Sequence, residues 1–144
     1  MTWTTDTDLD RLIDQFRSAT LPAPEWTHRA HLAVGTWHLY HHGAYVALEL
    51  VRAGILRLNE QHGTPNTDTR GYHETITRAY LVLIGDVLAQ TARTTAAEAV
   101  SVVLQHPIAV PGALLTYYSQ DMLMSVGARR EWIEPDRQPL PAWT

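Results

Sequence analysis

The chain has 144 residues, a formal net charge of −4 and 45% hydrophobic residues, and it contains neither Cys nor Lys. These values predict one soluble globular domain, and they exclude thiol nucleophiles, disulfides, thiolate metal sites and lysine Schiff bases. Scattered arginines, short apolar runs and an acidic start at Asp6, Asp8 and Asp10 predict a cytoplasmic protein that binds neither nucleic acid nor membrane.

Three helices are predicted in the first half of the chain, each with a recognisable start or stop. The first follows the candidate caps Asp6 and Thr7 and ends before Pro22, the second runs from the cap Thr27 to Gly43, and the third runs from about Ala44 to His62. The segment 62–71, rich in Gly, Thr, Asn and Pro, is then a loop.

The sequence pattern of the second half of the chain predicts three more helices and a tail. The fourth runs from near Tyr72 to Ala92, the capping-box pair Thr95 and Glu98 starts a fifth that ends at Pro107, and a sixth runs from Pro111 to Gly127. The Pro-rich tail 131–144 is expected to be extended and to pack Trp132 and Trp143 on the body. The predicted fold is therefore an all-α, single-domain bundle (1–144) of about five to six helices.

Four of the eight histidines lie on one face of the second predicted helix. At about 100° per residue, His28, His31, His38 and His42 fall within an arc about 80° wide. Residues three apart on a helix have Cβ atoms about 5–6 Å apart, so His28 and His31 could ligate one ion. Gly35, on the same face, leaves room for a ligand or a close helix. His38 and His42 are interpreted as structural.

A third metal ligand is expected from the fourth predicted helix, where His73 lies on the inward stripe. Without Cys, a divalent metal must be held by nitrogen and oxygen, which favours zinc or iron. The predicted metal ligands are therefore His28, His31 and His73. The alternative is that each is a hydrogen-bonded core residue that binds no metal.

Two neighbours of His73 are candidates for acid–base chemistry. Glu74 could accept a proton or hold a histidine tautomer, or it could form an ordinary surface salt bridge with Arg78. Tyr72 could present its hydroxyl to a pocket, although a buried tyrosine with one hydrogen bond is the usual case. The predicted catalytic residues are Glu74, His73 and Tyr72.

Five further residues are expected to bind substrate. Arg29 could recognise an anion, as could the later pair 129–130, and Asn59 lies on the apolar stripe of the third helix. Thr77 and Tyr80 share the inward stripe of the fourth helix, and Tyr118 lies on a polar arc of the sixth. The ordinary alternatives are a surface arginine, an amide that closes a helix end and packed side chains.

Two histidine motifs carry a resemblance to a known family. They read WTHRAHL at 26–32 and GYHETIT at 71–77, and they are followed by Tyr118-Ser119, Ala128-Arg129, Trp132 and Pro135-Asp136. Over nearly the whole chain this pattern resembles a family of small, uncharacterised bacterial proteins. The resemblance implies a compact helical domain and leaves the reaction open.

Three hypotheses of function follow from these residues. The first is a small-molecule enzyme, of the kind that serves specialised metabolism, in which a metal in a pocket between the second and fourth helices assists hydrolysis, elimination, isomerisation or cyclisation. The second is a metal-free enzyme that uses the same His and Glu for acid–base catalysis. The third is a non-catalytic module that binds a small ligand. Aromatic residues near the chain ends are also compatible with a homodimer.

Overall fold

Helices form the regular structure in the computed structural model, which describes residues 3–92 and 95–143. The five longer helices are α1 (Asp6–Arg17), α2 (His28–His41), α3 (Ala44–Gln61), α4 (Glu74–Ala89) and α5 (Ala96–Gln105), and the short helices α6 (Gln120–Leu123) and α7 (Val126–Arg130) follow. Within these residues there is no strand, which confirms the predicted all-α domain. None of the described helices combines the length and the apolar character that a membrane span needs.

The second helix lies at the centre of the bundle and contacts α1, α3, α4 and α5. Thr27 fixes its start, because the Thr27 side chain accepts a hydrogen bond of 3.2 Å from the backbone N–H of Ala30. Further along, Val34 packs in one buried cluster with Phe16 of α1, and Leu32 packs in another with α4 and α5. The first turn of α2 is thereby held beside α3 and α4.

A glycine brings α2 close to α4. At Gly35 an added Cβ would lie 3.2 Å from the Leu81 side chain and 3.4 Å from that of Ile84, both on α4. The two helices therefore approach more closely here than a larger side chain would comfortably allow. The side chains of Leu81 and Ile84 therefore occupy part of the space that the absence of a side chain at Gly35 leaves free.

The prediction was wrong after α5, where no long sixth helix forms. Between Pro111 and Gly127 the chain instead makes a 3₁₀ turn at Ala113–Thr116 and then the short α6 and α7. Ser119 and Ser125 cause the breaks, because each is extended and accepts a hydrogen bond from the backbone N–H three residues ahead. Such a side-chain bond starts a new helix rather than continuing the previous one.

The start of α1 also differs from the prediction. Thr5, rather than Asp6 or Thr7, caps the helix by accepting a hydrogen bond from the Asp8 N–H. The Asp6 carboxylate accepts a hydrogen bond of 3.2 Å from the backbone N–H of Ala97 and so joins α1 to α5. Asp6 has a side chain that is typical of helix caps, but here it makes a contact between two helices instead.

The extended segment 131–143 packs its two tryptophans on α4 and on the start of α3. The Arg78 guanidinium of α4 lies 4.4 Å from the Trp132 ring centroid and 5.4 Å from that of Trp143. The Trp143 ring meets Tyr45 of α3 edge-on, with centroids 5.7 Å apart. Residue 144, the last of the predicted tail, lies outside the described residues.

Candidate functional site

A cavity of about 340 Å³ lies between α2, α3 and α4, and we call it the imidazole cavity. Four polar residues lie on its wall: His28 and His31 from the first turn of α2, and Thr77 and Tyr80 from α4. The remaining wall is apolar and includes Leu32, Val51, Ile55, Ile76, Leu81 and Ile84. An apolar concavity with a few convergent polar groups is the usual form of a small-molecule site.

Hydrogen bonds to the backbone fix the tautomers of the two cavity histidines. His28 Nε2 lies 3.0 Å from the carbonyl oxygen of Ala109, and His31 Nδ1 lies 2.8 Å from that of Thr27. A carbonyl oxygen can only accept, so each of these nitrogens carries a proton that it donates. In a neutral ring, Nδ1 of His28 and Nε2 of His31 are then the acceptors, and neither has a hydrogen-bond partner among the described residues.

The His31 ring is neutral at pH 7 because of its surroundings. The residue is exposed to solvent on one side, while Trp26 stacks on the face of its ring with the centroids 3.6 Å apart. The density of protein atoms around the rest of the ring is the largest influence and lowers the pKa of His31 to about 4, even though that one side is exposed. The hydrogen bond to Thr27 raises this pKa and the nearby His28 lowers it. His31 therefore offers an uncharged acceptor to the cavity.

Tyr80 adds a hydrogen-bond donor to the same space. Its hydroxyl has no partner within residues 3–92 and 95–143, and burial raises its pKa, so the hydroxyl keeps its proton. The ring meets His28 edge-on, with centroids 5.5 Å apart. The imidazole cavity thus holds one free donor and two free acceptors on an otherwise apolar wall.

A second cavity of about 330 Å³ adjoins the first, and we call it the arginine cavity. Four residues line both cavities: His31, Ile55, Ile76 and Thr77. The wall of the arginine cavity also includes Asn59, Tyr72 and Arg129. The Asn59 amide donates a hydrogen bond of 3.0 Å to Asn66 Oδ1 and so ties α3 to the loop that leads to Gly71 on this wall.

The structure gives His73 a different position from the predicted metal ligand. Its Nδ1 accepts a hydrogen bond of 3.1 Å from the Ile76 N–H, and its Nε2 donates one of 2.7 Å to the Leu123 carbonyl oxygen. Both ring nitrogens are therefore occupied, and none is left to bind a metal ion or to take a proton. The three predicted histidines are not assembled, and the described residues contain no group of three or more His, Asp or Glu that could hold a metal ion.

Glu74 and Tyr72 are likewise occupied by a network inside the protein. Arg52 of α3 binds both Glu74 oxygens, at 2.9 and 2.6 Å, and the Tyr72 hydroxyl donates to Glu74 at 2.6 Å. Burial would raise the pKa of Glu74, but the bonds from Arg52 and Tyr72 outweigh it and lower that pKa. A carboxylate held in this way is a weak base. The ion-pair partner considered from the sequence, Arg78, instead stacks on Trp132.

Two predicted substrate-binding residues lie outside both cavities. Tyr118 is fully buried and donates its hydroxyl hydrogen bond, 2.6 Å long, to the Ile133 carbonyl oxygen. Arg29 lies on the wall of a larger depression of about 650 Å³ beside α1, together with Arg11 and the half-buried Asp8 and Glu25. We place the site in the smaller imidazole cavity because a few uncharged polar groups converge there on an apolar wall, whereas charged residues of both signs line the depression.

Sequence reasoning missed the groups that orient the histidines. Trp26, which stacks on His31, directly precedes the helix cap, and an aromatic residue at that position was the available signal. The carbonyl groups of Thr27 and Ala109 gave no signal, because every residue carries one.

His38 lies in the core rather than at the cavity and is 2% exposed. Its Nδ1 donates a hydrogen bond of 2.7 Å to the Val34 carbonyl oxygen, and its ring meets Phe16 edge-on. Burial lowers the pKa of His38 to about 4, against the opposing effect of the Val34 hydrogen bond, and nearby cationic groups lower it further.

This burial predicts a loss of stability in acid. The unfolded chain takes up a proton on His38 near pH 6.5 and the folded protein only near pH 4. The stabilisation is thus complete above about pH 6.5 and falls by up to about 3 kcal/mol as the pH drops to 4. Urea unfolding at pH 7 and pH 4.5 measures it, with His38→Leu as the comparison. An undiminished pH dependence in His38→Leu would contradict this assignment.

The free groups of the imidazole cavity suit hydrogen bonding and proton transfer. An unprotonated ring nitrogen accepts a proton, a tyrosine hydroxyl donates a hydrogen bond, and an apolar wall limits competition from water. Comparison with models of protein families, with curated proteins and with solved structures finds no match to this chain.

Proposed function

We propose that this protein is a small-molecule enzyme that moves protons on a mostly apolar substrate in the imidazole cavity, without a metal ion. One observation carries the proposal: the free nitrogens of His28 and His31 and the free hydroxyl of Tyr80 belong to one apolar cavity. None of these three residues is fully buried, so a ligand that enters the cavity can replace water at each of the free groups.

The three groups suit different tasks. His28 is the proposed base, because the Ala109 carbonyl holds its Nε2–H and leaves Nδ1 ready to take a proton. His31, with its low pKa, holds a proton weakly and serves better as a hydrogen-bond acceptor that orients the substrate. Tyr80 can donate to negative charge that develops on the substrate.

A metal-assisted reaction is a second candidate, favoured by the same backbone hydrogen bonds. Imidazoles that bind metal usually donate the second ring N–H to a carbonyl or carboxylate, as His28 and His31 do here. These two residues supply two nitrogen ligands, whereas catalytic zinc sites usually take three ligands from the protein. The metal-free reaction is therefore the first choice. Elemental analysis of untagged protein, beside His28→Ala, would reveal bound zinc or iron.

The ring opening of 5-nitrobenzisoxazole tests the proposed base. A base removes the proton from the ring carbon, the C–H electrons complete a nitrile, and the N–O bond breaks to leave a phenolate. With chelator present, we expect the protein to open this probe faster than free imidazole does at the same concentration. His28→Ala should lose about 100-fold or more of the rate. The matched control is His62→Ala, since His62 also bonds a carbonyl but lies outside both cavities.

The outcomes separate the candidate functions. Equal rates for the parent protein and His28→Ala would contradict His28 as the base. A rate that chelator abolishes would favour the metal-assisted reaction. Probe binding without ring opening would instead assign the cavity to a ligand-binding module.

A further inference from the structure

Arg129 gives the arginine cavity a positive charge that no described acidic group neutralises. Its Nη1 donates hydrogen bonds to the carbonyl oxygens of Gly71, at 2.9 Å, and Tyr72, at 3.4 Å. None of the ion pairs in the described part of the chain involves Arg129. The two carbonyls hold one corner of the guanidinium, while Nε and Nη2 have no hydrogen-bond partner in residues 3–92 and 95–143.

The free edge of Arg129 is the edge that two other arginines of this protein use to bind carboxylates. Arg52 binds Glu74 through Nε and Nη2, at 2.9 and 2.6 Å. Arg130 binds Asp68 through the same two nitrogens, at 2.7 and 2.8 Å. This edge matches the two oxygens of a carboxylate. In Arg129 it is left without such a partner.

Two acidic residues that are close in sequence to this cavity are already engaged. Glu74 is bound by Arg52, and Asp68 is bound by Arg130. No acidic residue is among the described residues that line the arginine cavity. The charge of Arg129 also acts on the nearby His73 ring. Burial is the largest influence that lowers the pKa of His73, and the charge of Arg129 lowers it further.

The two cavities place this cation next to the proposed reaction site. His31, Ile55, Ile76 and Thr77 line both, so a molecule at Arg129 can continue past Ile55 and Ile76 towards the free groups of the imidazole cavity. We infer that the substrate is an apolar carboxylate, whose carboxylate binds the free edge of Arg129 and whose apolar body occupies the imidazole cavity. This inference rests on the proposed function and names its substrate class.

Two probes of the same shape test the charge requirement: 2-naphthoate, which is an anion, and 2-naphthamide, which is neutral. Titration calorimetry at pH 7 should show 2-naphthoate binding at least about tenfold more tightly than 2-naphthamide. Arg129→Gln should weaken the binding of 2-naphthoate by about tenfold or more. It should change the affinity for 2-naphthamide by less than about twofold. The matched control is Arg130→Gln, because the neighbouring Arg130 binds Asp68 and lies outside both cavities. It should leave both affinities unchanged.

Equal affinity of the two probes for the parent protein would overturn the inference, as would an equal loss of both in Arg129→Gln. If neither probe binds but 5-nitrobenzisoxazole is still opened, the substrate class is wrong while the proposed chemistry stands. If the opening also fails, the proposed function fails with it. Should Arg129→Gln not fold, the comparison of the two probes on the parent protein decides alone.

Discussion

Replacing His73 with Ala is expected to lower the free energy of unfolding by about 3 kcal/mol, because one ring supports two elements. The Ile76 N–H at the start of α4 would lose its cap, and the buried Leu123 carbonyl on α6 would lose its donor. The first loss costs about 1 kcal/mol, and the unsatisfied carbonyl together with the space left by the ring costs the rest.

A second substitution separates the two contributions of His73. His73→Asn keeps an oxygen that can accept the Ile76 N–H, but its side chain is too short to reach Leu123 in the same way. We expect it to recover about 1 kcal/mol of the loss. Urea unfolding measures both variants. A change below about 0.5 kcal/mol in His73→Ala would contradict the structural assignment. So would the loss of ring opening in protein that is still folded.

Arg52→Met is expected to lower the free energy of unfolding by about 2–3 kcal/mol. The Glu74 side chain is only 13% exposed, and the substitution removes the cation that binds both its oxygens, leaving the Tyr72 hydroxyl. An unpaired, largely buried carboxylate is costly. The expected loss is below that of a fully buried pair, because Arg52 is 37% exposed.

The same ion pair determines in which direction the free energy of unfolding changes with pH. In the folded protein the pKa of Glu74 is below its ordinary value of 4.5, so the stabilisation is present above pH 4.5 and is lost as the pH falls further. Arg52→Met should lack this dependence. Adding Glu74→Gln to Arg52→Met should restore part of the stability at pH 7, because the neutral amide needs no cation. Equal stability of the single and double variants would contradict the assignment.

Most of the fold could be predicted from the sequence, because each of the five long helices has a cap or a stop and four of them also have an apolar stripe. The exception is α2, in which the consecutive residues 32–36 are all buried. Thr27 and Thr95 cap α2 and α5 as expected. The prediction of one continuous sixth helix failed because Ser119 and Ser125 each start a new helix. Whether a serine continues or restarts a helix depends on tertiary contacts, such as the bond from the Ser119 N–H to Asp136.

The candidate site could be predicted only in part. Helical spacing placed His28 and His31 on one face of α2 and Thr77 and Tyr80 on one stripe of α4, and all four line the imidazole cavity. It could not show that both ring nitrogens of His73 are occupied, because the Leu123 carbonyl that accepts from Nε2 belongs to a segment 50 residues away. Nor could spacing along α4 reveal that Glu74 pairs with α3 instead of its neighbour on the same helix.

The most direct test of the central claim is the protonation state of each ring nitrogen in His28 and His31, measured by long-range ¹H–¹⁵N NMR at pH 7. We predict that His28 carries its proton on Nε2 and His31 on Nδ1. We also predict that the resonance of the unprotonated nitrogen in each ring moves when 2-naphthamide is added. The opposite tautomer in either ring, or unprotonated nitrogens that do not respond to saturating probe, would contradict a cavity with two open acceptors.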